Sequence, residues 1–304
     1  MILVIGGTGF VGSHLLLRMR REGLPVRALV RNPDKALALA DLGIEAVPGD
    51  LSDKASLETA MAGVERVIHL VGIIQEAPGV TFKNVHVEGT RSLVEAARKA
   101  GVRHFFYQSA LGSRPGAKSE YHKTKWQAEE LVRASGIPYT ILRPSLIYGQ
   151  GDQFTLRLAE IIRQSPVLPV IGSGKSRVQP IAIDDVVSCI VKAVSSDAFF
   201  NESYEIGGPE QLTYEEVTRA IAGAMGIKRP AVHVPMLFMR PMARVLETVL
   251  PKPPVTTDQL IMLREDNICS MRDIREVFGI EPIKFQEGIR KFIREEMHSR
   301  NQRP

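Results

Sequence analysis

Met1-Ile-Leu-Val-Ile-Gly-Gly-Thr-Gly-Phe-Val-Gly12 is the stretch that decides the fold. The apolar residues Ile2 to Ile5 run into glycines at Gly6, Gly9 and Gly12, and a helical pattern follows from Phe10 to Glu22. Strand, tight turn and helix N-terminus in that order are the layout of a nucleotide cradle. Turn residues without Cβ atoms let backbone N–H groups and the positive end of the helix dipole come close to a pyrophosphate. A glycine triplet alone also occurs in plain structural turns. Here Gly23 closes the helix and Pro25-Val-Arg-Ala-Leu-Val30 reads as the second parallel strand of a βαβ unit, so the flanks are those the cradle requires.

The same alternation continues through the N-terminal half. Helix 34–42 closes at Gly43, strand 45–47 leads into Gly49-Asp50-Leu51, and helix 53–61 closes at Gly63. Strand 66–71 ends at Gly72, helix 82–100 precedes strand 103–107, and helix 120–134 precedes strand 139–142. This pattern predicts an α/β protein with a doubly wound parallel sheet, a Rossmann fold, whose ligands sit at the carboxyl ends of the strands. Beyond Tyr148 the character changes, with Pro and Gly in 164–174 and mainly helical patterns after Gly207. The expected organisation is a dinucleotide-binding domain over 1–150, with 178–206 returning to its sheet. A smaller, discontinuous C-terminal lobe over 151–177 and 207–304 would recognise a substrate or partner, with a pocket between the lobes as the expected ligand site.

A chain of 304 residues, 44% apolar and 24% charged, is long enough for a large core. Its net charge of +5 is scattered, and the densest basic cluster, Arg18, Arg20 and Arg21, reads as a solvated helix face. A nucleic-acid partner is therefore not expected. Cys189 and Cys269 lie far apart without metal-type spacing, which predicts no metal site and fits a reducing, cytoplasmic setting. Met1 opens directly into a core strand, leaving no room for a signal peptide. The apolar runs fall short of the roughly 18 residues a membrane span needs, so any membrane association is expected to be peripheral.

The second strand ends in Val30-Arg31-Asn32-Pro33, where an NAD-preferring cradle carries an acidic residue for the ribose 2′-hydroxyl. An arginine there can fork onto a 2′-phosphate, which favours NADP(H) over NAD(H); the competing reading is a strand-end arginine directed to solvent. Asp50 reads equally as an acceptor for an adenine amino group, with Leu51 on the ring, and as an N-terminal signal for the helix that follows. Tyr121 and Lys125 stand four residues apart in a helical pattern and so share a face. A tyrosine pKa of about 10 is too high for acid–base work at neutral pH. An adjacent ammonium is expected to lower it and make Tyr121 a proton donor or acceptor. The spacing is common; its place after the fifth strand gives it weight.

Together, Gly6-Gly-Thr-Gly-Phe-Val-Gly12, Gly49-Asp-Leu51, Tyr121-x-x-x-Lys125 and Arg143-Pro-Ser-Leu-Ile-Tyr-Gly149 resemble the extended and atypical short-chain dehydrogenase/reductases. His86-Val-Glu-Gly-Thr90, Gln108-Ser-Ala-Leu-Gly112, Gln179-Pro-Ile-Ala-Ile-Asp-Asp185 and Pro253-Pro-Val-Thr-Thr-Asp-Gln259 extend the similarity over nearly the whole chain. They point to the branch that includes the nucleotide-binding accessory subunit of respiratory complex I and its stand-alone bacterial relatives. The resemblance implies a Rossmann lobe holding NADP(H) through Gly6, Thr8, Gly9, Phe10, Gly12, Arg31, Asp50, Leu51, the strand end Leu70-Val71-Gly72, Lys125 and Pro144.

Two departures stand out. The active enzymes carry two hydroxyl residues at the end of the strand before the Tyr helix. Here Ser109 matches the first and Ala110 the second, and side-chain alternation prevents simple replacement of one by the other. Ser109 is retained as a candidate catalytic helper. Sugar-nucleotide epimerases place an arginine where this chain has Val178, with Arg177 one residue off and turned away. His86 replaces a common asparagine and reads first as a hydrogen-bonded structural residue. The apolar stretch 234–250 reads as core or as a lipid-, quinone- or partner-facing surface. Two functions remain open: an oxidoreductase or isomerase acting on an unidentified small-molecule carbonyl or alcohol through Tyr121 and Lys125, or a dinucleotide-holding module with a structural or redox-sensing role at a respiratory complex.

Overall fold

Ile2–Ile5 forms β1 inside a parallel sheet, and all four residues are buried, as a strand covered on both faces requires. The structure, a computed structural model, describes residues 1–250 and 253–301. β1 is followed by β2 (Val26–Val30), β3 (Glu45–Pro48), β4 (Arg66–His69), β5 (His104–Gln108) and β6 (Tyr139–Pro144), and the strand Glu202–Ile206 makes a seventh. The spatial order is Glu202–Ile206, β6, β5, β4, β1, β2, β3. Ile2 stands opposite both Val26 and Arg66, so the order reverses at β1, the switch point where such sheets bind ligands.

The connecting helices are α1 (Phe10–Arg21), α2 (Pro33–Asp41), α3 (Lys54–Ala60), α4 (Gly89–Lys99) and α5 (Glu120–Arg133). Their starts follow local chemistry. Asn32 accepts from the Asp34 N–H at 2.8 Å ahead of α2, Asp53 from the Ala55 N–H at 3.1 Å ahead of α3, and Ser119 from the His122 N–H at 3.2 Å ahead of α5. Leu3, Ile5, Phe105, Tyr107 and Ile141 of the sheet pack on Leu57, Leu93, Val94, Ala128 and Val132 of α3 to α5. Burial of each aliphatic side chain stabilises by about 1.5–3 kcal/mol. The predicted helix over 82–100 is not uniform: Lys83–Glu88 is wound in wider π-type turns before α4 begins.

Gly12 sets the distance between α1 and the turn before it. A Cβ there would lie 2.2 Å from the Gly6 carbonyl oxygen and 2.6 Å from the Gly7 Cα, backbone atoms that cannot swing aside. Gly12→Ala is therefore expected to cost about 3 kcal/mol or more in denaturant unfolding. Gly9→Ala, whose Cβ would only approach the Gly6 oxygen to 3.3 Å, should keep the fold. Equal stability of the two variants would show that α1 is not seated against the turn.

The chain folds as two compact units, one made of Met1–Arg143 with Val187–Tyr204, the other of Pro144–Val186 with Glu205–Pro304. The expected lobe 207–304 includes residues 251–252 and 302–304, which lie outside the described residues. The segment 178–194 does not enter the large sheet as a strand. Arg177–Val178 pairs antiparallel with Leu212–Thr213, Ile181–Ala182 pairs parallel with Ile147–Tyr148, and Ile183–Ser195 is helical. Pro180, which has no N–H to donate, separates the two short pairings. The second unit has its own core of Tyr148, Ile162, Val217, Ile221, Phe285, Ile289 and Phe292.

Within that unit, the stretch expected as core or as a contact surface forms the helix Met236–Val249, of which only Met239 and Ala243 are buried. Among the described residues no helix is long and apolar enough to cross a membrane.

Candidate functional site

The turn after β1 is held by backbone contacts. Gly6 has φ +86°, a conformation that favours glycine, and its surroundings leave no room: a Cβ would lie 3.1 Å from the Val71 nitrogen and 3.2 Å from the Leu70 carbonyl carbon. The ends of β1 and of the strand before Gly72 thus converge. Gly9 donates to the Gly6 oxygen at 3.0 Å and opens α1 without any side-chain cap or first-turn acid, so the positive end of α1 is uncompensated by side chains. Thr8 and Phe10 are half-buried beside the exposed Gly9, with the Phe10 ring edge-on to His14. This backbone fits a pyrophosphate, because the exposed Gly9 puts no side chain between solvent and the uncompensated positive end of α1.

At the neighbouring strand ends, Arg31 and Asp50 face each other, Nε to Oδ2 at 3.7 Å, with the arginine side chain 81% exposed. So loose and wet a pair contributes little stability, and the guanidinium remains available to an anion. Asp50 is not a helix cap. Its Oδ1 accepts from the Ser52 N–H at 2.9 Å and the Ser52 hydroxyl at 2.7 Å, while Asp53 caps α3. Burial would raise the Asp50 carboxyl, but the bonds from Ser52 and the charge of Arg31 outweigh it and hold the group below its ordinary range. Leu51 packs on Gly89 at the start of α4.

Lys125 is the centre of a second cluster. It is buried, donates to the Gln108 carbonyl at the end of β5 at 2.6 Å, and lies 4.4 Å above the Tyr107 ring. A Cβ on Gly72 would be 3.7 Å from its Nζ and 3.6 Å from His86 Nε2, so the strand end, the lysine and the histidine meet. Burial pushes the Lys125 pKa down to about 7, against the pull of Glu129. Tyr121, one turn earlier on α5, is half-buried among Phe82, His86 and His122, with ring centroids at 6.0, 5.6 and 5.3 Å. Its pKa is not lowered as the pairing with an ammonium predicts. Burial pushes it up to about 12, and the ammonium meant to oppose that is itself discharged near neutrality by burial.

His86 is structural in the sense expected. The Ile73 N–H donates to Nε2 at 3.1 Å, which places the ring proton on Nδ1, 2.9 Å from Thr124 Oγ1. Thr124 in turn donates to the Glu120 carbonyl at 2.8 Å. Burial, with the Lys125 charge, pushes the His86 pKa down to about 2, so it stays neutral. The π-type turns at 83–88 carry this histidine inward, and such windings recur at functional sites.

Ser109 is buried and its hydroxyl bonds Ser113 Oγ at 3.3 Å; Ala110 beside it is buried too. Pro144 ends β6 and opens the second unit. Arg177 forks onto Asp266 at 2.7 and 3.0 Å while Val178 is buried, the alternation expected of that segment. A supporting group that sequence reasoning missed is Glu129. It is fully buried, bonded to Arg133 at 2.7 Å and to Arg143 at 2.6 and 2.9 Å, with both guanidinium groups near the Trp126 ring. Its signal was the four-residue spacing Lys125, Glu129, Arg133 along α5.

Residues 1–279 match the model of the NmrA-like family. The ceramide reductase of Caulobacter vibrioides is 34% identical over 234 residues, 77% of this chain and 73% of that protein. The mitochondrial NADH-ubiquinone oxidoreductase 40 kDa subunit of Neurospora crassa is 27% identical over 285 residues, 92% of this chain and 75% of that protein. Among solved structures, a dTDP-glucose 4,6-dehydratase of Bacillus anthracis in complex with NAD shares the fold. Its TM-score is 0.78 at 19% identity, over 99% of this chain and 97% of that one.

Proposed function

The chain belongs to the NmrA-like family, a member of the extended short-chain dehydrogenase/reductases related to the complex I subunit, and from that premise we propose that it is an NADPH-dependent reductase of a carbonyl group. The observation that carries the reading is Lys125, buried and poised near neutrality at the Gly72 strand end, with Tyr121 one turn away on the same helix. Gly6, Thr8, Gly9 and Phe10 would hold the pyrophosphate, Arg31 the 2′-phosphate, Asp50 and Leu51 the adenine, and Lys125 the ribose. A dinucleotide held there would supply the hydride for reduction of a carbonyl carbon. Tyr121 holds its proton at neutral pH because burial raises its pKa, so it serves as donor to the carbonyl oxygen and favours reduction. The phenolate left behind is stabilised by the Lys125 ammonium and regains its proton from solvent. A reductase among the relatives agrees with this direction.

A calorimetric titration tests the cofactor half of the proposal: NADPH is expected to bind about tenfold or more tightly than NADH, through the charge-assisted bonds of its 2′-phosphate. Arg31→Ala should weaken NADPH by about ten- to a hundredfold, the loss of a charge-assisted fork, and leave NADH within about twofold. Equal affinity of the unaltered protein for both nucleotides would refute the NADP preference.

A second reading has its own observation. Ser109 donates to Ser113 at 3.3 Å and Ala110 offers no hydroxyl, so the second of the two hydroxyls that the resemblance leads one to expect is missing at that position. A module that holds NADPH for a structural or redox-sensing role would have this composition, and it would bind the nucleotide without oxidising it against any carbonyl.

A further inference from the structure

We propose that the helix Met236–Val249 lies in the headgroup region of an anionic lipid bilayer. Leu237, Phe238, Val245 and Val249 are 78%, 66%, 61% and 70% exposed, and Met242 is exposed as well. At 3.6 residues per turn these side chains, with the exposed Pro241, fall in one arc of about 140°, whose one polar member, Thr248, turns its hydroxyl back to the Val245 carbonyl at 2.8 Å. The opposite face carries Met239 and Ala243, both buried with Leu260. The helix is thus apolar toward the protein and apolar toward the outside, which water does not favour.

The charges say what covers the outer face. Arg240 and Arg244 are exposed, one turn apart at one margin of the apolar arc, and among the described residues neither is in an ion pair. Glu247, the helix's acidic residue, is turned back to accept from the Thr257 N–H at 2.8 Å and the Thr257 hydroxyl at 3.1 Å. The outward charge of this helix is therefore positive alone. An apolar arc bordered by arginines complements hydrocarbon bordered by anionic headgroups. A second copy of the chain would bring two pairs of arginines to one interface with no carboxylate of this helix to answer them. At 14 residues the helix is about 21 Å long, too short to cross a hydrocarbon core of about 30 Å, so it would lie in the membrane plane.

The test is flotation of the full-length protein with vesicles of phosphatidylcholine, alone or mixed with phosphatidylglycerol. Partitioning onto the mixed vesicles is expected, reduced about thirtyfold by the double substitution Arg240→Gln/Arg244→Gln, about fivefold for each arginine. Phe238→Glu/Val245→Glu should abolish it without lowering the thermal midpoint. Cys189 and Cys269 are buried, so Val245→Cys can be labelled selectively with an environment-sensitive dye. Its emission should shift to the blue on the anionic vesicles. Absence of both flotation and shift overturns the proposal, as does a concentration-dependent dimer that Val245→Glu dissociates. Equal binding to the neutral vesicles, unaffected by the arginine substitutions, overturns it too.

Discussion

Tyr121→Phe is expected to lower kcat for NADPH-dependent carbonyl reduction about a thousandfold while leaving the Kd of NADPH within about twofold. The substitution removes one hydroxyl and keeps the ring, so the edge contacts with Phe82, His86 and His122 survive and the fold is untouched. What disappears is the hydroxyl proposed as the proton donor. The pH profile of the unaltered enzyme distinguishes its partner. Tyr121 keeps its proton until about pH 12, so the phenol itself contributes no change near neutrality. Lys125 changes charge at about 7, and its ammonium form is the one that stabilises a phenolate. kcat should therefore be highest below about pH 7 and fall as pH rises through that value. Initial rates of NADPH consumption across the pH range measure both effects. A Tyr121→Phe enzyme retaining a tenth or more of the activity would remove the phenol from the chemistry.

The parts of this molecule that were legible in its sequence are those fixed by neighbours along the chain. The glycines of 6–12 and the apolar strand that feeds them act through contacts spanning a few residues, so local pattern suffices. Tyr121 and Lys125 share a face because a helix always brings such positions together. The rest depended on partners distant in sequence. His86 accepts from Ile73 and faces Thr124, 38 positions on, contacts that local spacing does not carry. Asp50 and Asp53 are both plausible caps by residue type, and only the Ser52 contacts assign Asp50 elsewhere. The rise rather than fall of the Tyr121 pKa reflects how much water the fold removes, a quantity that spacing does not carry. Likewise composition leaves the stretch 234–250 open between core and an outward contact surface, since apolar residues on the two faces of one helix look alike until packing selects a side.

Lys125→Met is expected to stabilise the protein at pH 7 by about 2 kcal/mol and to reduce turnover at least about a hundredfold. An ammonium buried above the Tyr107 ring is costly to desolvate, and this outweighs the help of Glu129, since the pKa falls from its usual 10.5 to about 7. Methionine has a similar reach without the charge. It forfeits the bond to the Gln108 carbonyl, a loss of about 1–3 kcal/mol that keeps the net gain modest. The sign of the pH dependence follows from proton counts. Between about pH 7 and 10.5 the unfolded chain holds the Lys125 proton that the folded protein has released, so stability of the unaltered protein rises with pH across that window. The Met variant lacks this contribution. Its advantage should be greatest at or below about pH 7 and shrink as pH approaches 10.5, a difference that denaturant midpoints of the two proteins at several pH values would measure. A variant less stable than the unaltered protein at pH 7 would show that the lysine is held for packing. If instead stability rises while turnover and NADPH affinity fall together, the buried charge opposes folding and supports catalysis. That trade identifies a functional group independently of any sequence motif.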